Sequence, residues 1–437
     1  MKLYGSFTGP CDGLAMTAHA PAISTSGKDR YAKLAFAIGV FLVVLEAAYL
    51  LASHLPYDPE GFLVGRDFVN TWMGARIALT GDPTPWFDFD TYNAALRSTW
   101  GAAYPQHIWS YPPHLLLFTW PFGLMPYLPG LAVWSAIGFA LYLIAAADGD
   151  RRPQTLILLA VAPAVVMNIF TGQNGFFTTA LLVGGLIILD RRPLLAGILF
   201  GLLTIKPQLG LLVPVMLVLT GRWRTIAAAA ATTAALAGLT TLVFGPRVWT
   251  AYLDVAMPAQ THAITHGTGI FVSMMPTPFM NLRAAGLPLD LAWSVQAVVS
   301  GAALAAIVWT FWKRRDPGLS MALLVTAAFL VTPYAFNYDM VIFGWVLAKV
   351  ADRSDNAPFD YGLMLAVWTL PVTTIAAGLA GIPGSALVLI AFAGRLLGRL
   401  AHAGEVPAGS ADGAGRQAAR PNMAALAPIA DGRRMPS

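Results

Sequence analysis

Charge is what this chain has least of. Of its 437 residues, 27 are Lys or Arg and 22 are Asp or Glu, so 11% are charged while 57% are hydrophobic. An ordinary soluble domain carries about 25% charged residues. A soluble core would not hide this much apolar surface, so the solvent must be largely lipid. Cysteine is nearly absent: Cys11 stands alone, which excludes an intrachain disulfide. A signal-peptide pattern is not expected either, because Lys28, Arg30 and Lys33 precede an apolar run with no small-residue cleavage site behind it. No internal repeat is evident, which weakens an inverted-repeat transporter. The net charge of +5 does not point to nucleic acid. The Lys and Arg lie in short clusters between apolar segments, as they do in cytoplasmic loops of membrane proteins.

What is there is a series of apolar segments. The first, 34–53, is long enough to span a bilayer and holds Glu46. Others follow at about 114–147, 155–170, 176–189, 194–220, 225–244, 289–312, 319–336, 340–350, 361–380 and 382–400. The basic clusters Arg151-Arg152, Arg191-Arg192, Arg222 with Arg224, Lys313-Arg314-Arg315 and Lys349 with Arg353 should share the cytoplasmic side. Loops 54–113 and 245–288 then read as external. The expected architecture is all-α and polytopic, with about 10–13 crossings. A cytoplasmic tail (1–32) precedes a transmembrane domain (33–400), and a disordered cytoplasmic tail (401–437) follows it. Pro121, Pro126 and Pro129 predict a short half-helix before a full span. Segment 194–220 must cross an even number of times, with Lys206-Pro207 at its turn. Segments too short to span must be tilted, broken or re-entrant, and irregular backbone at membrane depth is tolerated where it lines a wet cavity.

The polar, aromatic-rich stretch Gly65 to His114 is where chemistry at a membrane surface would be done. Asp67 lies about a dozen residues past the first span, and a carboxylate there can act as general base on a sugar hydroxyl. A solvated acid or a helix cap is the plain alternative. Asp82, Asp88 and Asp90 read as turn and cap residues; Asp88 and Asp90 have the form of an acidic metal pair, but two acids do not make a site. His262 and His266 are spaced i, i+4 without the acid that a zinc motif requires. No metal and no cofactor are expected. Lys206, in GLLTIKPQLG, is one ammonium among apolar residues. It should face a cavity, a carboxylate or a lipid phosphate, and an inter-helix ion pair, with Glu46 as one partner, is the structural alternative. Gln173 and Asn174 in TGQNG can donate amide hydrogen bonds to a sugar or pyrophosphate. His114 after Tyr111-Pro-Pro, and Asn337 and Asp339 in TPYAFNYDM, fall on the same external side. A base and a cation beside lipid suit transfer from a polyprenyl-phosphate sugar. Its phosphate leaving group needs a cation more than a proton donor, while the attacking hydroxyl needs a base.

The order GRDFVNTWMGARIALTGDP, YPPHLLLFTWPFGLMP, GQNG, GLLTIKPQLGLLVP and TPYAFNYDM resembles the family 87 glycosyltransferases, also catalogued as domain of unknown function 2029. These are similar to the polyprenol-phosphate-mannose-dependent mannosyltransferases of actinobacteria. The resemblance covers roughly residues 35–400. It implies the GT-C fold, an inverting transfer without a nucleotide sugar, Asp67 as catalytic base, and Lys206 of the Lys-Pro-Gln motif near the donor phosphate. Gln208 of that motif, and Arg66 beside Asp67, join the expected substrate-binding residues. The chain departs from the family at Thr332-Pro333-Tyr334, where mannosyl-transferring members often show Ser-Pro-His; a role held by that His would pass here to Asn337 or Asp339. The expected partners are a polyprenyl-phosphate sugar, a glycolipid or glycan acceptor and membrane lipids, in a bacterial inner membrane. A transporter or lipid-linked-sugar flippase, or a non-catalytic subunit of an envelope-polysaccharide complex, are the other readings that fit these features.

Overall fold

A computed structural model describes residues 25–402. The expected disordered tail from 403 onward, and residues 1–24 of the expected N-terminal tail, lie outside the described residues. The described residues are mostly helical: α1 (Thr25–Leu51), α2 (Phe68–Ala78), α3 (Phe89–Trp100), α4 (Leu116–Gly123), α5 (Tyr127–Ala147), α6 (Pro153–Ala160), α7 (Pro163–Thr171), α8 (Gly175–Ile188), α9 (Pro193–Leu202), α10 (Val213–Leu219), α11 (Trp223–Phe244), α12 (Arg247–Ala251), α13 (Met257–His266), α14 (Ile270–Ser273), α15 (Pro278–Ala284), α16 (Leu289–Trp312), α17 (Pro317–Val331), α18 (Phe343–Ala351), α19 (Pro358–Leu379) and α20 (Gly384–His402). The first helix begins at Thr25, ahead of the apolar run, so the boundary expected at 33 falls inside it. The last helix runs to His402, past the expected tail boundary at 401.

Proline sets many of the starts. Pro153, Pro163, Pro193, Pro278, Pro317 and Pro358 each open a helix, where a fixed φ is already helical and the missing N–H had no partner to lose. As expected, the prolines after His114 yield a short helix, α4, ahead of the full-length α5. Among the described residues six helices are long and apolar enough to cross a membrane, or seven if the bent pair α6 and α7 makes one span. The other apolar segments are shorter helices. The segment Pro193–Ile205 rises about 20 Å at 1.5 Å per residue, against a hydrocarbon core about 30 Å thick. The segment is therefore too short to cross such a core before the turn at Lys206.

Ion pairs gather the basic loops at one end of the bundle. Arg152 bonds Asp352 at 2.6 Å, and Lys28 reaches the same Asp352 at 3.3 Å. Arg353 meets Asp316 at 3.1 Å, Lys349 pairs with Asp148, and Arg222 pairs with Asp190. The opposite end carries the stretch 54–115, which is not an open loop: α2 and α3 fold it over an aromatic core containing Phe68, Trp72, Tyr92, Trp109 and Trp134. A second core fills the helical bundle from Tyr142 to Leu400. A third joins Phe279 and Met280 of α15 to Phe336 and Tyr338. The three cores approach one another around the turn between α7 and α8.

Candidate active site

That turn is Gly172-Gln173-Asn174-Gly175, and its two glycines let two other segments come close. Gly172 has φ +63°, the left-handed conformation that closes α7. A Cβ on it would sit 2.6 Å from Phe68 Cβ and 2.8 Å from the Gly65 carbonyl oxygen. A Cβ on Gly175 would overlap the Tyr338 carbonyl oxygen and the Asn168 amide. The Asp67 corner thus packs on one side of the dipeptide Gln173-Asn174, and the segment 336–339 packs on the other.

Asp67 stands at the N-cap position of α2, but its side chain does not cap the helix. Its backbone N–H donates to the Thr171 carbonyl at 2.9 Å, and its carboxylate accepts from Gln173 Nε2 at 3.0 Å. The orientation of the Gln173 amide is fixed from the other side. Both the Tyr111 hydroxyl (2.9 Å) and the Asn174 backbone N–H (3.4 Å) donate to Gln173 Oε1, so the amino group must face Asp67. Asp67 is half-buried, whereas Gln173 and Asn174 are buried.

Lys206 occupies the tip of the α9–α10 hairpin and is 5% exposed. Its ammonium donates to Asp339 Oδ1 at 2.5 Å and to Asn174 Oδ1 at 3.2 Å, and lies 4.8 Å from the centre of the Tyr338 ring. The ion pair expected as the structural alternative therefore exists, but with Asp339 and not with Glu46. Glu46 instead faces Arg66 across the α1 side of the fold. Asp339 is held in turn, because its Oδ2 accepts from the Phe336 backbone N–H at 3.1 Å. A buried pair of this kind is kept in register by such extra hydrogen bonds.

Tyr111 sees both acids. Burial above all, then the Asp67 carboxylate and more weakly Asp339, push its hydroxyl far above the ordinary phenol range. It is therefore a neutral donor to Gln173. His114 lies buried one turn on, its Nε2 3.3 Å from the Thr204 hydroxyl. That hydroxyl also lies 2.6 Å from the Gly201 carbonyl, to which it donates. The His114 ring also stacks on Trp249, with centroids 6.2 Å apart. Burial lowers the His114 pKa, which favours the neutral ring. The Tyr-Pro-Pro-His loop thus touches the dipeptide through Tyr111 and the Lys206 hairpin through His114.

Other expected site residues are placed elsewhere. Arg66 turns away from Asp67. It pairs with Asp58 at 3.0 Å and Glu60 at 2.8 Å, and packs on the rings of Phe62 and Phe170. Two carboxylates and two aromatic rings occupy it, so it clamps the loop to α1 and α7 rather than presenting a cation beside Asp67. Asn337 is fully buried; its Nδ2 donates to the Pro371 carbonyl at 2.7 Å and its Oδ1 accepts from the Tyr338 N–H, which spends it on the fold. Gln208 is half-buried beyond the turn, and its side chain forms no hydrogen bond among the described residues. Tyr334 stands at the departure from Ser-Pro-His, and its hydroxyl meets the Ser110 and Gln260 side chains. Asp82 and Asp88 accept backbone N–H bonds from Thr84 and Thr91, both at 2.9 Å, as turn and cap residues do. His262 and His266 stack 4.2 Å apart on an exposed face. No group of three or more His, Cys, Asp and Glu with metal-holding geometry occurs among the described residues.

Tyr111, Thr204 and Asn168, whose Nδ2 holds the Tyr338 carbonyl at 3.2 Å, were not marked out by the sequence as site residues. Only the two prolines after Tyr111 gave a signal, since they stiffen the loop that presents it.

The sequence model described as Glycosyltransferase family 87 matches residues 109–333. No curated protein and no solved structure shows a significant match. The matched stretch covers just over half of the 437 residues and includes Tyr111, His114, Gln173, Asn174 and Lys206, while Asp67 and Asp339 lie outside it. An all-α polytopic body with its polar residues gathered at one end is consistent with a membrane glycosyltransferase, and the chain belongs to glycosyltransferase family 87.

Proposed function

We propose that the protein transfers a hexose, mannose by the family resemblance, from a polyprenyl-phosphate donor to a hydroxyl of a glycolipid or envelope glycan, with inversion. One observation carries the reading. A carboxylate and an ammonium, 139 positions apart in sequence, are held by adjacent residues: Gln173 grips Asp67, and Asn174 grips Lys206. In this reaction the two groups do opposite work. Asp67 takes the proton of the attacking hydroxyl as the oxygen bonds to the anomeric carbon. The bond from that carbon to the phosphate oxygen breaks, and its electron pair leaves with the phosphate. Lys206 offsets the charge that builds there.

The Lys206–Asp339 pair adds a condition. With Asp339 and Asn174 each accepting from the ammonium, one of its three donors remains for a phosphate oxygen. Asp339 thus holds the cation in place, and it also limits how much positive charge the site offers a dianion. A polyprenyl phosphodiester, with one negative charge, suits that site better than a nucleotide diphosphate would. The short reach of α9 would set the Lys206 ammonium below the far surface, where it can meet a donor phosphate drawn in from the interface while the polyprenyl tail stays in the bilayer.

The reading further places the site at the non-cytoplasmic face of a bacterial inner membrane, because the basic loops lie at the other end. The test is to incubate purified protein with labelled polyprenyl-phosphate mannose and total membrane lipids, then identify the labelled product. A glycosidic product made from this donor, and not from nucleotide mannose, supports the proposal. Labelled sugar crossing proteoliposomes without bond formation would replace it with transport.

A further inference from the structure

A separate cavity lies at the basic end of the bundle, away from Asp67. It encloses about 710 Å³ between α1, α6, α18 and α19, within the size range of small-molecule sites. Much of its lining is apolar, with Phe36, Ile157, Leu159, Leu347, Met364 and Trp368. Charged residues line it as well: Lys28, Lys33 and Arg152, opposed by Asp29 and Asp352. Tyr31 and Tyr361, which also line it, stack 5.7 Å apart.

The acids do not close this site to an anion. Asp352 pairs with Lys28 at 3.3 Å and with Arg152 at 2.6 Å, and Arg152 also meets Asp150 at 2.6 Å, with the Lys28, Asp352 and Arg152 side chains 47%, 50% and 54% exposed. A pair so solvated contributes little and yields readily to a competing anion. Lys33 is exposed and enters no ion pair among the described residues, and Arg30 and Arg151, next to lining residues in sequence, are exposed as well. A basic rim over an apolar cleft between membrane helices is the form that anionic lipid headgroups recognise. Residues 1–24 are a poor alternative occupant. They carry Lys2 and Asp12 as their charged side chains, and so no surplus of negative charge to meet the rim.

We propose that this cavity binds an anionic phospholipid, its phosphate held by Lys28, Lys33 and Arg152 and an acyl chain running between α1 and α19. The lipid then acts as mortar for α1. Only 6% of the apolar window of α1 is buried within the protein, although the helix carries Tyr49, which bonds Arg66 beside the catalytic corner.

The test uses the full-length protein, reconstituted in vesicles of phosphatidylcholine and phosphatidylglycerol, re-extracted in mild detergent and examined by native mass spectrometry. The wild type is expected to retain phosphatidylglycerol over phosphatidylcholine. Each basic residue removed should weaken that preference about fivefold. The triple variant Lys28→Ala, Lys33→Ala, Arg152→Ala should therefore lose it, while Lys28→Arg, Lys33→Arg, Arg152→Lys keeps it. Because the triple variant disturbs ion pairs, Lys33→Glu serves as a second reading at an exposed position with no pair to break, and it too should lower retention. Equal retention of the two lipids by the wild type, or unchanged preference in Lys33→Glu, would overturn the proposal. So would a chain lacking residues 1–24 that takes up severalfold more phosphatidylglycerol, which would make that segment the natural occupant.

Discussion

Asp67 and Gln173, 106 positions apart, are joined by a 3.0 Å hydrogen bond that takes the Asp67 carboxylate away from the helix it precedes. An N-terminal Asp ordinarily caps its own helix. Here the backbone is held by Thr171 and the side chain by Gln173, so the carboxylate is aimed by the α7–α8 turn. The residue that aims it is in turn aimed by Tyr111.

Replacing Gln173 tests that arrangement. Gln173→Met keeps the length but removes the donor to Asp67 and the acceptor for Tyr111. Transfer is expected to fall by roughly tenfold to a hundredfold, the scale of a misplaced catalytic group, and the stranded Tyr111 hydroxyl should also lower the melting temperature in detergent. An unaltered rate would show that Asp67 needs no such support.

The Lys206–Asp339 pair makes a two-step prediction in stability. Asp339→Ala strands a buried ammonium and should destabilise the protein by about 3–5 kcal/mol. Pairing it with Lys206→Met removes the stranded charge, so the double variant should recover much of that loss. Its transfer activity and donor binding should nevertheless stay low, because the phosphate partner is gone. Thermal unfolding and donor binding measured side by side check both halves.

Gly175 leaves no room for a side chain against Tyr338 and Asn168. Gly175→Ala should therefore push segment 336–339 away from Asn174 and loosen Lys206, seen as lost activity and a lower melting temperature. Gly238, in α11, has nothing within 4 Å of its Cβ position. Gly238→Ala should be neutral or slightly stabilising, since Ala is the better helix former.

His107 supplies a pH dependence. Burial lowers its pKa from the ordinary 6.5, and Asp67 opposes this more weakly. Below 6.5 the unfolded chain binds a proton that the folded ring resists. Its contribution to stability is thus intact above 6.5 and is lost as pH falls from there toward the folded value. His107→Gln should flatten the acid side of the stability curve in that window, measured as melting temperature against pH.

Much of this site was legible because membrane sequence restricts polar residues so strongly. Lys206 stands out among apolar neighbours, and the prolines and glycines of KP, YPP and TGQNG mark turns wherever the chain is read. Alternating apolar segments then put Asp67, Gln173, Lys206 and Asp339 at one end. The partner of Lys206 was not legible, since Glu46 and Asp339 are both acids in apolar surroundings and only packing decides between them. Arg66 and Asn337 show the same limit. Position 66 adjoins the base in sequence, but successive residues at a helix entry point to different sides, and Arg66 went to Asp58 and Glu60. Asn337 is on the right turn, yet a buried backbone carbonyl at Pro371 claimed its amide.

The most direct measurement of the central claim is single-turnover transfer from labelled polyprenyl-phosphate mannose by wild-type and Asp67→Asn protein in proteoliposomes, with donor binding followed in parallel. Asn keeps the shape and a hydrogen-bonding oxygen for Gln173 but has no basic carboxylate. The account expects transfer to drop by roughly 10²–10⁴-fold with donor binding retained. Transfer by Asp67→Asn at the wild-type rate would contradict it.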